Sequence, residues 1–301
     1  MQGSLGEKIG EGAFSDVHAW APGQVVKLFK DGRPQRLARY EAHITRAAFA
    51  AGAPAPEVLG EVTLDGRFGI VLSRLDGPTL KQLSRSGAMT NGQVGSILAT
   101  LALSVHKTPP PPEVLRLRDL MAGSLRDDGG RIPEHIAAGI LALIDRLSPG
   151  DGLCHGDLHP DNVIMTANGP RLIDWLGIVR APAALDLATS HIILAELTAD
   201  VVADPERPRA YNAVMQSEYA RLAGMSQAAL TAVMEPYLSI IRVRALLAGW
   251  CGPAQRERLI PARRGDPALG ELIGQPRVRR PHACALDCPN QRMSRIVSLF
   301  G

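Results

Sequence analysis

The sequence predicts an α+β protein in which a small N-terminal antiparallel sheet carrying one helix precedes a larger, mainly helical body. Three observations predict it. Strand-like runs bounded by turn pairs occupy the first 76 residues; apolar residues at three- to four-residue steps dominate from Gly77 onward; and 301 residues exceed a typical single domain.

The first strands are expected at Leu5 to Gly10 and Asp16 to Ala21, followed by a turn at Pro22-Gly23 and the β-branched run from Val25 to Phe29. A helix begins near Arg36, because Leu37, Tyr40, Ile44 and Ala47 or Ala48 recur at helical spacing, and it is broken by Gly52-Ala53-Pro54-Ala55-Pro56. Strands Glu57 to Leu64 and Phe68 to Arg74 flank Asp65-Gly66, a hairpin turn pair. Two helical stripes follow: Leu98, Leu101, Ala102 and Val105, then Ile136, Ile140, Leu143 and Leu147, with the stiff Pro109 to Pro112 connector between them. A turn-and-strand unit at 153–175 interrupts the helices, which resume at 183–199, 208–223 and 227–250. Leu230, Val233, Met234, Leu238, Ile241 and Leu246 should carry the last into the core. Six prolines after Gly252 argue against regular structure there. The expected organisation is therefore 1–76, 77–252 and a poorly ordered Pro/Arg-rich tail at 253–301.

Composition narrows the function classes. With 46% hydrophobic and 21% charged residues the chain has the make-up of an ordinary soluble protein. No apolar run approaches a membrane span, and the N-terminus lacks the basic and apolar regions of a signal peptide, so a cytoplasmic location is expected. Cys154, Cys251, Cys284 and Cys288 are too few and too unevenly placed for a disulfide framework. From Cys251 on, nine arginines face four acids, a net +5, which leaves −2 for the first 250 residues. No basic face with interleaved aromatics marks a nucleic-acid partner.

The chemistry concentrates in Leu153-Cys154-His155-Gly156-Asp157-Leu158-His159-Pro160-Asp161-Asn162 and the later Ile173-Asp174-Trp175. An Asp, an Asn five residues on and a second Asp twelve residues after that suit Mg²⁺ held on a nucleotide triphosphate beside a hydroxyl nucleophile. Upstream, Gly10 and Gly12 lie in a loop between two strands, where the missing Cβ lets backbone N–H groups approach phosphate oxygens, although such a pair also serves as a plain turn. Lys27 interrupts the apolar strand 25–29. It is either a solvent-facing position or a phosphate ligand, and Glu41, fourteen residues on, is then its carboxylate partner.

Gly10/Gly12, Lys27, Glu41, the His155-Gly156-Asp157-x-x-x-x-Asn162 element, Ile173-Asp174-Trp175 and Leu185-Asp186-Leu187-Ala188 occur in one order. In this the sequence resembles the aminoglycoside phosphotransferase family, the small-molecule branch of the two-lobed protein-kinase-like fold, over residues 5–200. Ser15 stands where the kinase glycine loop has its third glycine. The resemblance implies Asp157 as the catalytic aspartate and Asn162 and Asp174 as Mg²⁺ ligands. It makes His155 a scaffold residue of the catalytic loop and Asp186 its brace, and sets His159 near the transferred phosphate. The Ser73-Arg74-Leu75-Asp76-Gly77 hinge would meet the adenine, with Ser73 and Leu75 as contacts. ATP and Mg²⁺ are the implied cofactors and a small-molecule hydroxyl the acceptor: an aminoglycoside-like antibiotic, or a metabolite such as choline, homoserine or a sugar.

The acceptor site is less legible. The resemblance points to the helix at 183–199, hence His191, Glu196 and Asp200. Trp175, Tyr211, Tyr219, Tyr237 and Trp250 are the aromatics for a cationic cage. A catalytically silent nucleotide-binding module is an alternative, as is a protein kinase, which the eleven residues between Asp174 and Asp186 disfavour. In the tail, His282, Cys284 and Cys288, with Cys251 upstream, lack the tight pairs of a zinc site. The oligomeric state is open.

Overall fold

A computed structural model of the protein describes residues 4–199, 201–252 and 255–256. Strands β1 (Lys8–Glu11), β2 (Ser15–Ala19), β3 (Gln24–Phe29), β4 (Val58–Leu64) and β5 (Arg67–Ser73) form one antiparallel sheet in the order β1-β2-β3-β5-β4. Helix α1 (Gln35–Ala50) lies on it because Leu37, Ala38 and Ala42 share a face and meet Phe29, Val58, Phe68 and Ile70 from the strands. Ile44 and Ala48, further along α1, belong instead to the main core, so this one helix ties the sheet to the rest of the protein.

After Arg74–Thr79 the chain is mainly helical: α2 (Leu80–Arg85), α3 (Asn91–Lys107), α4 (Leu117–Arg126), α5 (Glu134–Arg146), α6 (Ala183–His191), α7 (Glu206–Leu222) and α8 (Gln227–Ala248). Two short antiparallel pairs lie between α5 and α6. They are β6 (Gly152–Cys154) with β9 (Val179–Ala181), and β7 (Val163–Thr166) with β8 (Gly169–Leu172). The small sheet and the larger helical part are those the sequence led us to expect. Helices α3 and α7 approach closely because Gly95 faces α7: a Cβ there would stand 2.6 Å from that of Val214 and 2.7 Å from the Tyr211 carbonyl oxygen.

Some elements differ from expectation. Helix α2 is only six residues long, too short for a periodic stripe. Helix α4 has its stripe in Leu117, Met121 and Leu125, but charged residues between them dilute it. The helix expected over 183–199 is α-helical to His191 and then widens into a π-helical segment, Ile192–Thr198. On α8, Val233 faces solvent at 46% exposure, since it sits one residue, and so about 100°, off the buried Met234. Pro236 lies inside α8 without ending it. Among the described residues no helix is long and apolar enough to cross a membrane, and Cys154 and Cys251 are buried free thiols. Asp200 and the tail residues His282, Cys284 and Cys288 lie outside the described residues.

Candidate active site

Strand β6 leads into the catalytic-loop sequence, and one buried carboxylate fixes where that loop begins. Asp186, on the first turn of α6, accepts the His155 N–H at 2.8 Å and the Gly156 N–H at 2.7 Å. His106 of α3 joins them, contacting Asp186 at 3.2 Å through Nε2 and the Tyr219 hydroxyl at 2.8 Å through Nδ1. Burial opposes ionisation of Asp186, but the hydrogen bond and charge of His106 and the loop N–H groups more than offset it, and its pKa lies below the ordinary aspartate value. His106 had no signal in the sequence; only the fold brings it to Asp186. His155 is fully buried, its Nε2 3.1 Å from the Ile173 carbonyl and its ring edge-on to Trp175 at 4.7 Å. Burial lowers its pKa.

Gly156 has φ +75°, a conformation glycine adopts without penalty. The chain then turns so that Asp157 faces an open cleft. Asn162, at the end of a short 3₁₀ turn, donates through Nδ2 to the Asp157 carbonyl at 2.9 Å and to its carboxylate Oδ2 at 3.0 Å. His159 Nε2 stands 3.4 Å from the other Asp157 oxygen. Burial disfavours charge on His159, yet Asp157 outweighs it and the pKa is raised.

The β7–β8 hairpin returns the chain to the same place, where the Ile173 N–H donates to the Asn162 carbonyl at 3.0 Å. Asp174 follows with φ 64° and ψ 65°, a left-handed conformation uncommon outside glycine. Its carboxylate Oδ1 lies 3.2 Å from Lys27 Nζ, and Lys27 also binds Glu41 at 2.5 Å. Burial works against the Lys27 charge, but Asp174 and Glu41 overcome it and hold the pKa above the ordinary lysine value. Asp174 is correspondingly depressed: burial would raise it, and the ammonium prevails. Glu41 is raised by burial and by Asp174 despite the lysine. Asp157 with Asn162, and Asp174 with Lys27 and Glu41, therefore form two polar groups that the Ile173–Asn162 backbone bond brings side by side, reaching from the 155–162 loop to α1.

Other residues named from sequence sit differently. The Gly12 N–H is engaged by the Ser15 carbonyl at 2.8 Å, and neither Gly10 nor Gly12 has a positive φ, so in this conformation Gly12 presents no free donor to a phosphate. In the hinge, the Ser73 N–H and hydroxyl are both engaged with Glu57 and the Arg74 N–H with the Gly23 carbonyl. Glu196 is paired with Arg242 at 2.7 Å, and His191 bonds Asn212 and Gln216; neither lines the cleft beside Asp157. The aromatics do not form a cage. Trp175 is fully buried and donates to the Leu172 carbonyl, and Tyr211, Tyr219 and Tyr237 are core residues at 5–7% exposure.

Asp157 and Asp174 enter one solvent-open cleft. Phe14, Tyr40, Leu120, Met121, Arg244 and Trp250 help line it. Arg244 was not singled out from sequence. The same apolar run of α8 holds Arg242, which pairs with Glu196 instead, so the sequence pattern does not separate the two.

A model of the phosphotransferase enzyme family matches residues 10–225. None of the curated proteins compared with the chain matches it. Among solved structures, the chain is similar to an aminoglycoside-3'-phosphotransferase of type VIII, with 21% identity, 78% of this chain and 93% of that one covered, and a TM-score of 0.50. A choline/ethanolamine kinase family protein from Mesorhizobium loti superposes at 14% identity, 90% and 91% coverage and a TM-score of 0.51. A choline kinase from Cryptosporidium parvum Iowa II does so at 14% identity, 90% and 93% coverage and a TM-score of 0.52. At these identities what is shared is the fold.

Proposed function

Because the chain belongs to the phosphotransferase enzyme family, we propose that it moves the γ-phosphoryl group of ATP to a hydroxyl of a small molecule in an Mg²⁺-dependent reaction. The observation that carries this reading is two contacts, Asn162 to Asp157 at 3.0 Å and Lys27 to Asp174 at 3.2 Å, brought together by the Ile173 N–H on the Asn162 carbonyl, with both aspartates opening into one cleft.

The donor set fits Mg²⁺. Anchoring Nδ2 to Asp157 leaves Asn162 Oδ1 as its remaining acceptor, and Lys27 engages only one Asp174 oxygen, so two hard oxygens are available. Held by these residues, the ion would supply positive charge against the charge that develops on the phosphoryl group. Lys27, held charged by two carboxylates, would sit against the nucleotide phosphates, and Glu41 fixes its position. Asp157 takes the proton of the acceptor hydroxyl as the new O–P bond forms; the bond from the γ-phosphorus to the bridging oxygen breaks, and ADP leaves with that electron pair. His159, its pKa raised by Asp157, would place an imidazole near the transferred phosphoryl. His155 and Asp186 hold the loop. A cytoplasmic location, where ATP is at hand, goes with this reading.

The test pairs thermal shift with ATP and Mg²⁺ against ADP release over aminoglycosides, macrolides, choline, homoserine, sugars and hydroxy acids. Stabilisation together with acceptor-dependent ADP release is expected. Stabilisation without turnover on any hydroxyl compound would make the chain a silent nucleotide-binding module.

A further inference from the structure

One wall of the cleft carries a charge the phosphotransfer chemistry does not use. Arg244, on α8, is 8% exposed. Its Nη2 donates to the Gly177 carbonyl at 2.6 Å, and its guanidinium lies over the Trp250 ring at 5.6 Å from the centroid. Among the described residues its Nη1 is buried without any hydrogen-bond partner. A buried, partnerless N–H of a charged group is costly, and such groups occur where something else supplies the acceptor.

The surroundings say what chemistry that something has. Leu115, Leu120, Met121, Leu247 and Trp250 make the cleft lining largely apolar. The carboxylates lining the cleft are Asp157 and Asp174, and the proposed mechanism takes both. Among the described residues that line the cleft no acid is left for the ammonium groups of a polycation, and the Trp250 ring already carries the Arg244 guanidinium. A planar guanidinium in a low-dielectric wall, with one nitrogen left unpartnered, is instead suited to an oxyanion.

We propose that the acceptor is an apolar hydroxyl compound bearing a carboxylate, which pairs with Arg244 while its hydroxyl reaches Asp157. The inference rests on the phosphotransferase reading, with this cleft as the acceptor side.

The experiment measures binding by titration calorimetry on the full chain, alone and saturated with Mg²⁺ and a non-hydrolysable ATP analogue. The probes are ω-hydroxydodecanoate, dodecanediol and ω-aminododecanol, which differ in the charge of one end only. We expect the carboxylate to bind at least about tenfold more tightly than the diol and the amino alcohol to bind weakest. In Arg244→Gln the carboxylate-to-diol ratio should collapse toward one; in Arg244→Lys, which keeps the charge without the fork, part of it should survive. Equal binding of the carboxylate and the diol by the wild type overturns the proposal, even if no variant folds. So does an unchanged ratio in a folded Arg244→Gln protein. A charge preference seen without nucleotide, in a protein that neither binds the Mg²⁺–ATP analogue nor releases ADP, would support the pairing and sink the kinase reading instead.

Discussion

A methyl group on Gly156 would stand 2.0 Å from the Gly177 carbonyl oxygen and 2.9 Å from Arg244 Nη2, at a φ of +75°. Neither backbone oxygen nor buried guanidinium can yield that distance cheaply. Gly156→Ala should therefore destabilise the protein by about 1–3 kcal/mol from backbone strain alone, with most activity lost, as read by a denaturation midpoint beside ADP release. The next residue separates chemistry from architecture. Asp157 is partly exposed in the cleft, and among the described residues its carboxylate meets the side chains of Asn162 and His159. Asp157→Ala should lower turnover by about 10²–10⁴ with the ATP-induced thermal shift retained; near-normal turnover would remove Asp157 from the mechanism. Both residues were legible in sequence from their place in His155-Gly156-Asp157. Arg244 was not singled out, because a charged residue on a helix is ordinarily solvated and only the packing of α8 against the catalytic loop buries it.

At the level of elements, a side-chain cap marks where α3 begins. Thr90 accepts the Gln93 N–H at 3.2 Å while Gln93 returns to the Thr90 N–H at 2.9 Å, closing a capping box at the start of α3. Thr90→Ala should cost about 1 kcal/mol, measurable by urea unfolding, without changing the apparent affinity for ATP. A larger loss would mean that the start of α3 contributes more than its cap. Helix α3 presents His106 to Asp186 from its last turn. The elements with long apolar repeats, α1, α3, α5 and α8, were readable in sequence. Helix α2 and the π-helical segment were not, since one is too short for a period and the other departs from the 3.6-residue repeat that periodicity detects.

Across the whole molecule, two polar links hold distant parts of the chain in register. Lys27 connects β3 to α1 through Glu41 and to the β8–β9 connection through Asp174. Lys27→Ala should raise the apparent KM for ATP while leaving that of the acceptor similar, and steady-state kinetics with each substrate varied in turn would show the reverse if the lysine served the acceptor. Asp186 joins α3, α6 and the catalytic loop. Its folded pKa is depressed, so its stabilisation is present above the unfolded value of about 3.9 and is lost as pH falls through the lower folded value. Thermal midpoints measured from about pH 7 down to pH 3 should fall in the acid arm for the wild type. Asp186→Asn should begin lower at neutral pH and show a flatter acid arm; equal slopes would mean that other carboxylates govern acid unfolding.

The order of motifs along the chain determined the family, the sheet-then-helices architecture and the residues of the two polar groups. Each of these is a local pattern: periodicity, turn pairs, or polar residues at fixed spacing within one loop and hairpin. Tertiary structure alone decided that His106 braces Asp186, that Glu196 and His191 turn to partners of their own, and that Arg244 and Trp250 wall the cleft. Those depend on how α3, α7 and α8 pack around the catalytic loop. Packing of separate helices is set by side-chain volumes summed over the whole core, which no short window of sequence contains.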